Sequence, residues 1–178
     1  MKLSGKRYES IKEDVVKTYK EYGINEIPIN PFKLAEKMGL LLIKYSIMDD
    51  EEASFLEELY PDGFISPDKT KIYYNDKRIP NKIRYTILHE IGHKVRNHQE
   101  ECPLAEAEAD FFAAYGIAPP PLVDFFDVTE YTDIVNVFET TADCAFHSMQ
   151  RYVLWKKHAK KNTNYEKDLL ELFKNYKK

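Results

Sequence analysis

The sequence has few of the features typical of secreted or membrane-spanning proteins. Its 178 residues include only two cysteines, Cys102 and Cys144, which are too few for a disulfide framework. No apolar run approaches the roughly 18 residues that a transmembrane helix requires, and the first residues contain no apolar stretch of signal-peptide length. We therefore expect a cytoplasmic protein that does not associate with membranes and whose two thiols are free.

The chain also lacks an excess of basic residues. Its 26 lysines and arginines are outnumbered by 30 aspartates and glutamates, which gives a net charge of −4. Because a general nucleic-acid-binding protein carries a strong basic excess, direct binding of nucleic acid is not expected. Hydrophobic residues make up 43% and charged residues 31% of the chain, an ordinary globular composition.

Glycine and proline, with six and nine copies, divide the chain into short periodic segments. Apolar periodicity predicts helices over 4–22, 31–38, 80–97, 103–116, 129–138, 141–158 and 165–176, and strands over 40–45, 63–66 and 71–75. Segment 49–59 is predicted as either a short helix or a loop. Prolines 119–121 are interpreted as a rigid break between a core, 1–118, and a helical, helix-turn-helix-like part, 119–178.

One predicted helix contains the pattern HExxH, at His89, Glu90 and His93. Residues four apart lie on the same face of a helix, so both imidazoles can reach one metal ion. Glu90 is rotated from them by about 100° and can address a water beside the metal. An apolar stripe at four-residue steps predicts that the opposite face is buried: Ile83, Ile87, Ile91 and Val95.

A third ligand is predicted on the next helix. Glu106 and Asp110 are four residues apart and share a face, whereas Glu108 is turned away by roughly 200°. We assign Glu106 to the metal and Asp110 to a hydrogen bond with a ligand imidazole. Ala109 and Ala113 are small, so this helix can approach the HExxH helix closely.

Two histidines, one carboxylate and an open position form the ligand set of zinc hydrolases, although manganese or iron remains an alternative. Zinc would lower the pKa of its water to about 7 and polarise a scissile carbonyl, while Glu90 would transfer the proton to the leaving amine. Cys102 is a rival ligand, and His98 is assigned a structural role or a contact with a ligand. The donor that would stabilise an oxyanion stays open among five side chains: Tyr73, Tyr74, Tyr85, Tyr115 and His147.

Four local patterns together resemble the ImmA/IrrE-type metallopeptidases and cover most of residues 29–155. These are INPFKLAE at 29–36, RYTIL followed by HEIGH at 84–93, EAEADFFAA at 106–114 with the following Ala-Pro-Pro, and VFETTADCA at 137–145 with Arg151. The sequence departs from the family at Tyr115-Gly116-Ile117, where two leucines are usual.

The resemblance implies a gluzincin-like α+β fold, mostly helical, with about three strands beside the HExxH helix. It implies one zinc ion on His89, His93 and Glu106, with Glu90 as the catalytic base. It also implies a protein substrate, a helix-turn-helix transcriptional repressor whose cleavage derepresses genes of a mobile element or a stress response. The shallow strands near Lys71 to Asn75 are our candidates for pairing with an extended substrate by strand addition.

Two functions other than that of an endopeptidase are also compatible with the sequence. The first is a metal-containing regulatory module that docks a partner or DNA through 129–158, where Thr140 and Asp143 are interpreted as a capping box. The expected base-reading turns of that segment contain no lysine or arginine, which disfavours DNA. The second is hydrolysis of a small amide in the manner of deformylases, which is disfavoured because no cysteine precedes His89.

Overall fold

The computed structural model describes residues 2–100, 102–158 and 163–176. The fold is α+β and mostly helical, as predicted. The helices are α1 (Gly5–Tyr22), α2 (Pro31–Lys37), α3 (Asp50–Leu59), α4 (Pro80–Val95), α5 (Pro103–Ile117), α6 (Pro120–Phe125), α7 (Tyr131–Phe138), α8 (Ala142–His158) and α9 (Asn164–Phe173). Segment 49–59, left open between helix and loop, forms α3, with the Asp49 side chain accepting from the amide of Glu52. In the described part of the chain, no helix has the length and apolar character needed to cross a bilayer.

A small sheet lies beside α4. Its strands are β1 (Leu41–Lys44), β2 (Gly63–Ile65) and β3 (Lys71–Tyr74), in the spatial order β1-β3-β2. β3 pairs in parallel with β1 and antiparallel with β2. Of the strands near Lys71 to Asn75 expected to pair with a substrate, β3 is excluded, because it already has a neighbour on each side. In this sheet, β2 has the edge that faces the cleft described below.

The register shows which backbone groups of β2 are free of the sheet. The amide of Asn75 donates to Asp62 and the amide of Ser66 donates to Lys71, so hydrogen-bonded pairs recur at every second residue. The backbone N–H and C=O of Phe64 thus point towards β3. Gly63 and Ile65 direct their N–H and C=O groups away from it.

Helices α4 and α5 pack at close range. Gly92 faces α5, where a Cβ would lie 3.2 Å from the Cα of Ala109 and 3.1 Å from the Cβ of Phe112. Ile87 and Ile91 are fully buried on the other side of α4, as the apolar stripe predicted. The small residues hold the two helix backbones close together, which brings their polar side chains to one point at the surface.

One hydrophobic core includes residues from both sides of position 118. Ile11 and Tyr19 of α1 belong to the same buried cluster as Leu122 of α6 and Phe173 of α9. The division of the chain into 1–118 and 119–178 stays a prediction.

Two local features differ from the prediction. The chain does break between α5 and α6, but prolines 120 and 121 begin α6, a helix that was not predicted; Pro120 occupies its first turn, where the missing N–H costs no hydrogen bond. The cap of α8 is Thr141, whose hydroxyl accepts from the amide of Cys144 at 3.3 Å. The Thr140 hydroxyl is instead buried without a hydrogen-bond partner.

Gly63 allows β2 to lie against both β3 and α4, and we predict that Gly63→Ala destabilises the fold. The added Cβ would lie 2.6 Å from the carbonyl oxygen of Tyr73 and 2.9 Å from Cγ2 of Thr86. Relieving such overlap costs about 1–3 kcal/mol. Urea denaturation measures the loss. Gly5→Ala is the matched control, because a Cβ there has no atom within 4 Å, and an equal loss in both variants would contradict the packing argument.

Candidate metal centre

Three side chains from α4 and α5 converge at the surface where the two helices meet. The Nε2 atoms of His89 and His93 are 3.0 Å apart. Carboxylate oxygens of Glu106 lie 3.4 Å from the first nitrogen and 3.3 Å from the second. A tetrahedral zinc ion with bonds of about 2.0–2.1 Å holds its ligand atoms roughly 3.3 Å apart, so these spacings suit such an ion.

Asp110 determines which nitrogen of His89 carries a proton. Its Oδ1 lies 3.0 Å from Nδ1 of His89 and also accepts a hydrogen bond from the Tyr85 hydroxyl at 3.2 Å. Because an ionised carboxylate can only accept, Nδ1 of His89 must donate. In the neutral ring, the lone pair of Nε2 is then directed at the point of convergence.

A longer chain of contacts, through His98, determines which nitrogen of His93 carries a proton. Nδ1 of His98 lies 3.0 Å from Nδ1 of His93, and Nε2 of His98 lies 3.2 Å from Oε2 of Glu108. The carboxylate accepts from Nε2 of His98, which leaves Nδ1 of His98 to accept from His93. The Nε2 lone pair of His93 is therefore also directed at the point of convergence. His98, for which the sequence left two roles open, contacts a predicted ligand directly.

Glu108 is the residue whose role the sequence did not predict. It is only 3% exposed and accepts hydrogen bonds from Arg96, at 3.0 Å, and from Arg7. Burial alone would raise the pKa of Glu108, but the bonds from Arg96, His98 and Arg7 lower it to about 2. As predicted, its side chain is turned away from the metal ligands. The sequence feature that could have indicated a role for Glu108 is a charged residue between alanines, on a helix that is otherwise largely buried.

The donor set suits a cation. With both rings neutral, two nitrogen lone pairs and an anionic carboxylate face one another across 3.0–3.4 Å. The pKa values of His89 and His93 likewise indicate that the site favours one positive charge. Burial alone would lower the pKa of His89, but bonds to Asp110 and Glu106 raise it to about 9. Burial and the neighbouring His89 lower the pKa of His93 to about 4. A divalent metal ion satisfies all three ligands at once, whereas one proton satisfies only two.

Within the described residues, His89, His93 and Glu106 form the single group of three or more histidine, cysteine or acidic side chains arranged to hold a metal ion. Cys102, the rival ligand, lies outside this group. Its sulfur caps α5 by accepting from the amide of Ala105 at 3.4 Å.

A cleft of about 470 Å³ opens above these side chains. Its walls include β2, the preceding turn at 59–62 and the exposed face of α4. Glu90, which is only 7% exposed, lines this cleft together with His89 and His93. Glu90, predicted to act as a base, thus lies next to His89 on α4 and lines the same cleft as the convergent side chains.

The five side chains considered as oxyanion donors lie in different parts of the structure. Tyr85 lines the cleft beside His89. Tyr73 and Tyr74 lie on β3 and pack against other aromatic rings, outside the cleft lining. The Tyr115 hydroxyl is buried without a hydrogen-bond partner, and His147 lines a separate groove.

Comparison of the sequence with profiles of known protein families finds no match, and comparison with curated proteins finds none either.

We predict that Asp110→Asn weakens zinc binding by about 10–100-fold, since the amide no longer stabilises the Nδ1–H form of His89. Competition with a chromogenic chelator of known affinity measures the change. Asp143→Asn is the matched control, because it removes the same charge from an exposed position that is not one of the three convergent ligands. Equal affinities for the two variants would contradict the assigned role of Asp110.

Proposed function

We propose that this protein is a zinc-dependent endopeptidase of the ImmA/IrrE type. One observation carries the proposal: two imidazole lone pairs and the Glu106 carboxylate meet at one point beside Glu90, in an open cleft. The resemblance of the local sequence patterns supports the same conclusion. It also supports the substrate class, a helix-turn-helix transcriptional repressor that controls a mobile element or a stress response.

The residues present suit the chemistry of peptide hydrolysis. Zinc held by His89, His93 and Glu106 would supply a water of lowered pKa and polarisation of the scissile carbonyl. Glu90 accepts the proton of the attacking water and delivers it to the leaving amine. Its neighbours on α4 keep its backbone fixed, because that helix is buried on the opposite face.

We assign the stabilisation of the oxyanion to Tyr85. It lies one helical turn before His89 and lines the cleft. Burial and the nearby Asp110 raise the pKa of its hydroxyl well above the ordinary value, so it stays protonated. Its one proton is donated to Asp110, and donation to an oxyanion would replace that hydrogen bond. A donor aimed at a developing oxyanion is typically worth about 10²–10³ in kcat.

The cleft suits an extended polypeptide. Gly63 and Ile65 offer outward N–H and C=O groups along β2, which can pair with a substrate strand. Phe55 and Leu59 of α3 are 60% and 54% exposed, and Leu59 lines the cleft. Exposed apolar side chains at the rim favour a protein segment over a small amide as substrate.

The alternative function is a metal-containing module that docks a partner without robust peptidase activity. Helix α8 exposes Phe146, Val153 and Leu154, each at 50% or more. Such an apolar surface favours contact with protein over contact with DNA phosphates, which attract lysine and arginine.

We predict that Glu90→Gln retains one zinc per chain and lowers cleavage by at least about 10²-fold, because the base is lost while the ligands remain. The measurement pairs elemental analysis with cleavage of a helix-turn-helix repressor encoded beside this protein's gene, followed by mass spectrometry. His93→Gln is the comparison variant and should lose both zinc and cleavage.

The alternative function would be favoured if the wild-type protein bound zinc and the repressor but left the repressor intact. Cleavage by Glu90→Gln at the wild-type rate would overturn the assigned role of Glu90. Absence of bound zinc in the wild-type protein would overturn the metal centre itself.

We predict that Ile65→Pro raises KM about tenfold or more with a smaller change in kcat. Proline removes an N–H that points away from β3, so the sheet keeps its own hydrogen bonds while the substrate strand loses one. Steady-state cleavage of the repressor measures both constants. Ile65→Ala is the control for the lost side chain, and an equal rise of KM in both variants would contradict strand pairing.

A further inference from the structure

A second groove, of about 910 Å³, lies between α5 and α8. It shares Lys82, Tyr85, Glu106 and Asp110 with the cleft, so the two spaces meet beside the convergent side chains. A polypeptide that crosses the metal centre from β2 therefore enters this groove. The inference below rests on the proposed function.

Arg151 lines this groove and is largely enclosed. Its Nη2 donates to the Ser148 hydroxyl at 2.8 Å and to the Ala114 carbonyl at 3.4 Å. Its Nε is completely covered and has no hydrogen-bond partner. The guanidinium is held in place on one side, and its Nη1 donates to none of the described residues.

The charge of Arg151 is not paired with a carboxylate in the described part of the chain, although Glu106, Asp110 and Asp143 line the same groove. Among the residues that the structure describes, no carboxylate lies within 4.0 Å of its guanidinium. Burial lowers the pKa of Arg151, which reports the cost of keeping this charge away from water. The Phe111 ring, 6.0 Å from the guanidinium carbon, encloses it further. A buried cation of this kind is stabilised by a ligand carboxylate, which guanidinium groups bind with paired hydrogen bonds.

We propose that the groove between α5 and α8 is a substrate subsite in which Arg151 binds a carboxylate of the peptide. The carboxylate comes from an acidic side chain or from the free C-terminus of the chain. Two bonds already made to Ser148 and Ala114 position the guanidinium, and the substrate supplies the missing negative charge. Arg151 is thus a specificity-determining residue, remote from bond cleavage.

The test uses short peptide hydroxamates, which bind a catalytic zinc directly. Paired probes carry Glu or Gln at successive positions, each with a free or an amidated C-terminus. Calorimetry with the zinc-loaded protein should show that one carboxylate strengthens binding about tenfold or more. Arg151→Met should abolish that preference, and Arg151→Lys should restore part of it. Lys157→Met, an exposed position on the same helix, should leave it unchanged.

The paired probes separate the two sources of the carboxylate, since only one of them should be sensitive to amidation of the C-terminus. The inference is overturned if the wild-type protein binds the hydroxamates without preferring a carboxylate. It is equally overturned if Arg151→Met keeps the preference. Failure of the proposed function is recognised separately, because the protein would then contain no zinc in elemental analysis.

A second measurement depends neither on the metal nor on the stability of Arg151→Met. The side-chain NMR signals of Arg151 in the metal-free wild-type protein, assigned with Arg151→Lys, are followed during titration with the preferred acidic peptide. A saturable shift of these signals, absent with the amide analogue, supports the subsite. Signals that do not respond to either peptide overturn it.

Discussion

The structure depends on an electrostatic conflict at one point. Two imidazole nitrogens lie 3.0 Å apart, and the Glu106 carboxylate faces both of them. Asp110 and the His98–Glu108 pair hold a proton on the far side of each ring, so that in the neutral rings the near sides present lone pairs. A cation at this point would relieve the conflict, and the surrounding fold holds the three side chains in place.

Close packing of α4 against α5 produces this convergence, and α1 secures it. Arg7 of α1 binds Glu108, and Arg96 binds both Glu108 and Asp14 of α1. Helix α1 thereby stabilises the buried carboxylate that contacts His98. Stability of the N-terminal helix and geometry of the metal ligands are consequently coupled through one group of ion pairs.

The sequence predicted the parts of the site that depend on a single helix. The spacings of His89 with His93 and of Glu106 with Asp110 translate directly into shared helical faces. Most helices and all three strands were predicted for the same reason, whereas α6 was not predicted and α3 was left open between helix and loop. The central place of β3 and the partners of Glu108 depend instead on contacts between distant segments, which local periodicity does not encode. The sequence did not identify Thr141 as the cap of α8, because the adjacent Thr140 carries the same hydroxyl group.

The distribution of charge along the two spaces favours one class of peptide. Glu90, Glu106 and Asp110 give the cleft three carboxylates, with Lys82 as a cation on the same wall. In the neighbouring groove, Arg151 has no carboxylate within 4.0 Å among the described residues. Under the proposed function, a substrate carboxylate is therefore favoured at a distance from the bond that is cut, where Arg151 would bind it. Repulsion near the proposed metal and attraction farther along would together select the register of the peptide.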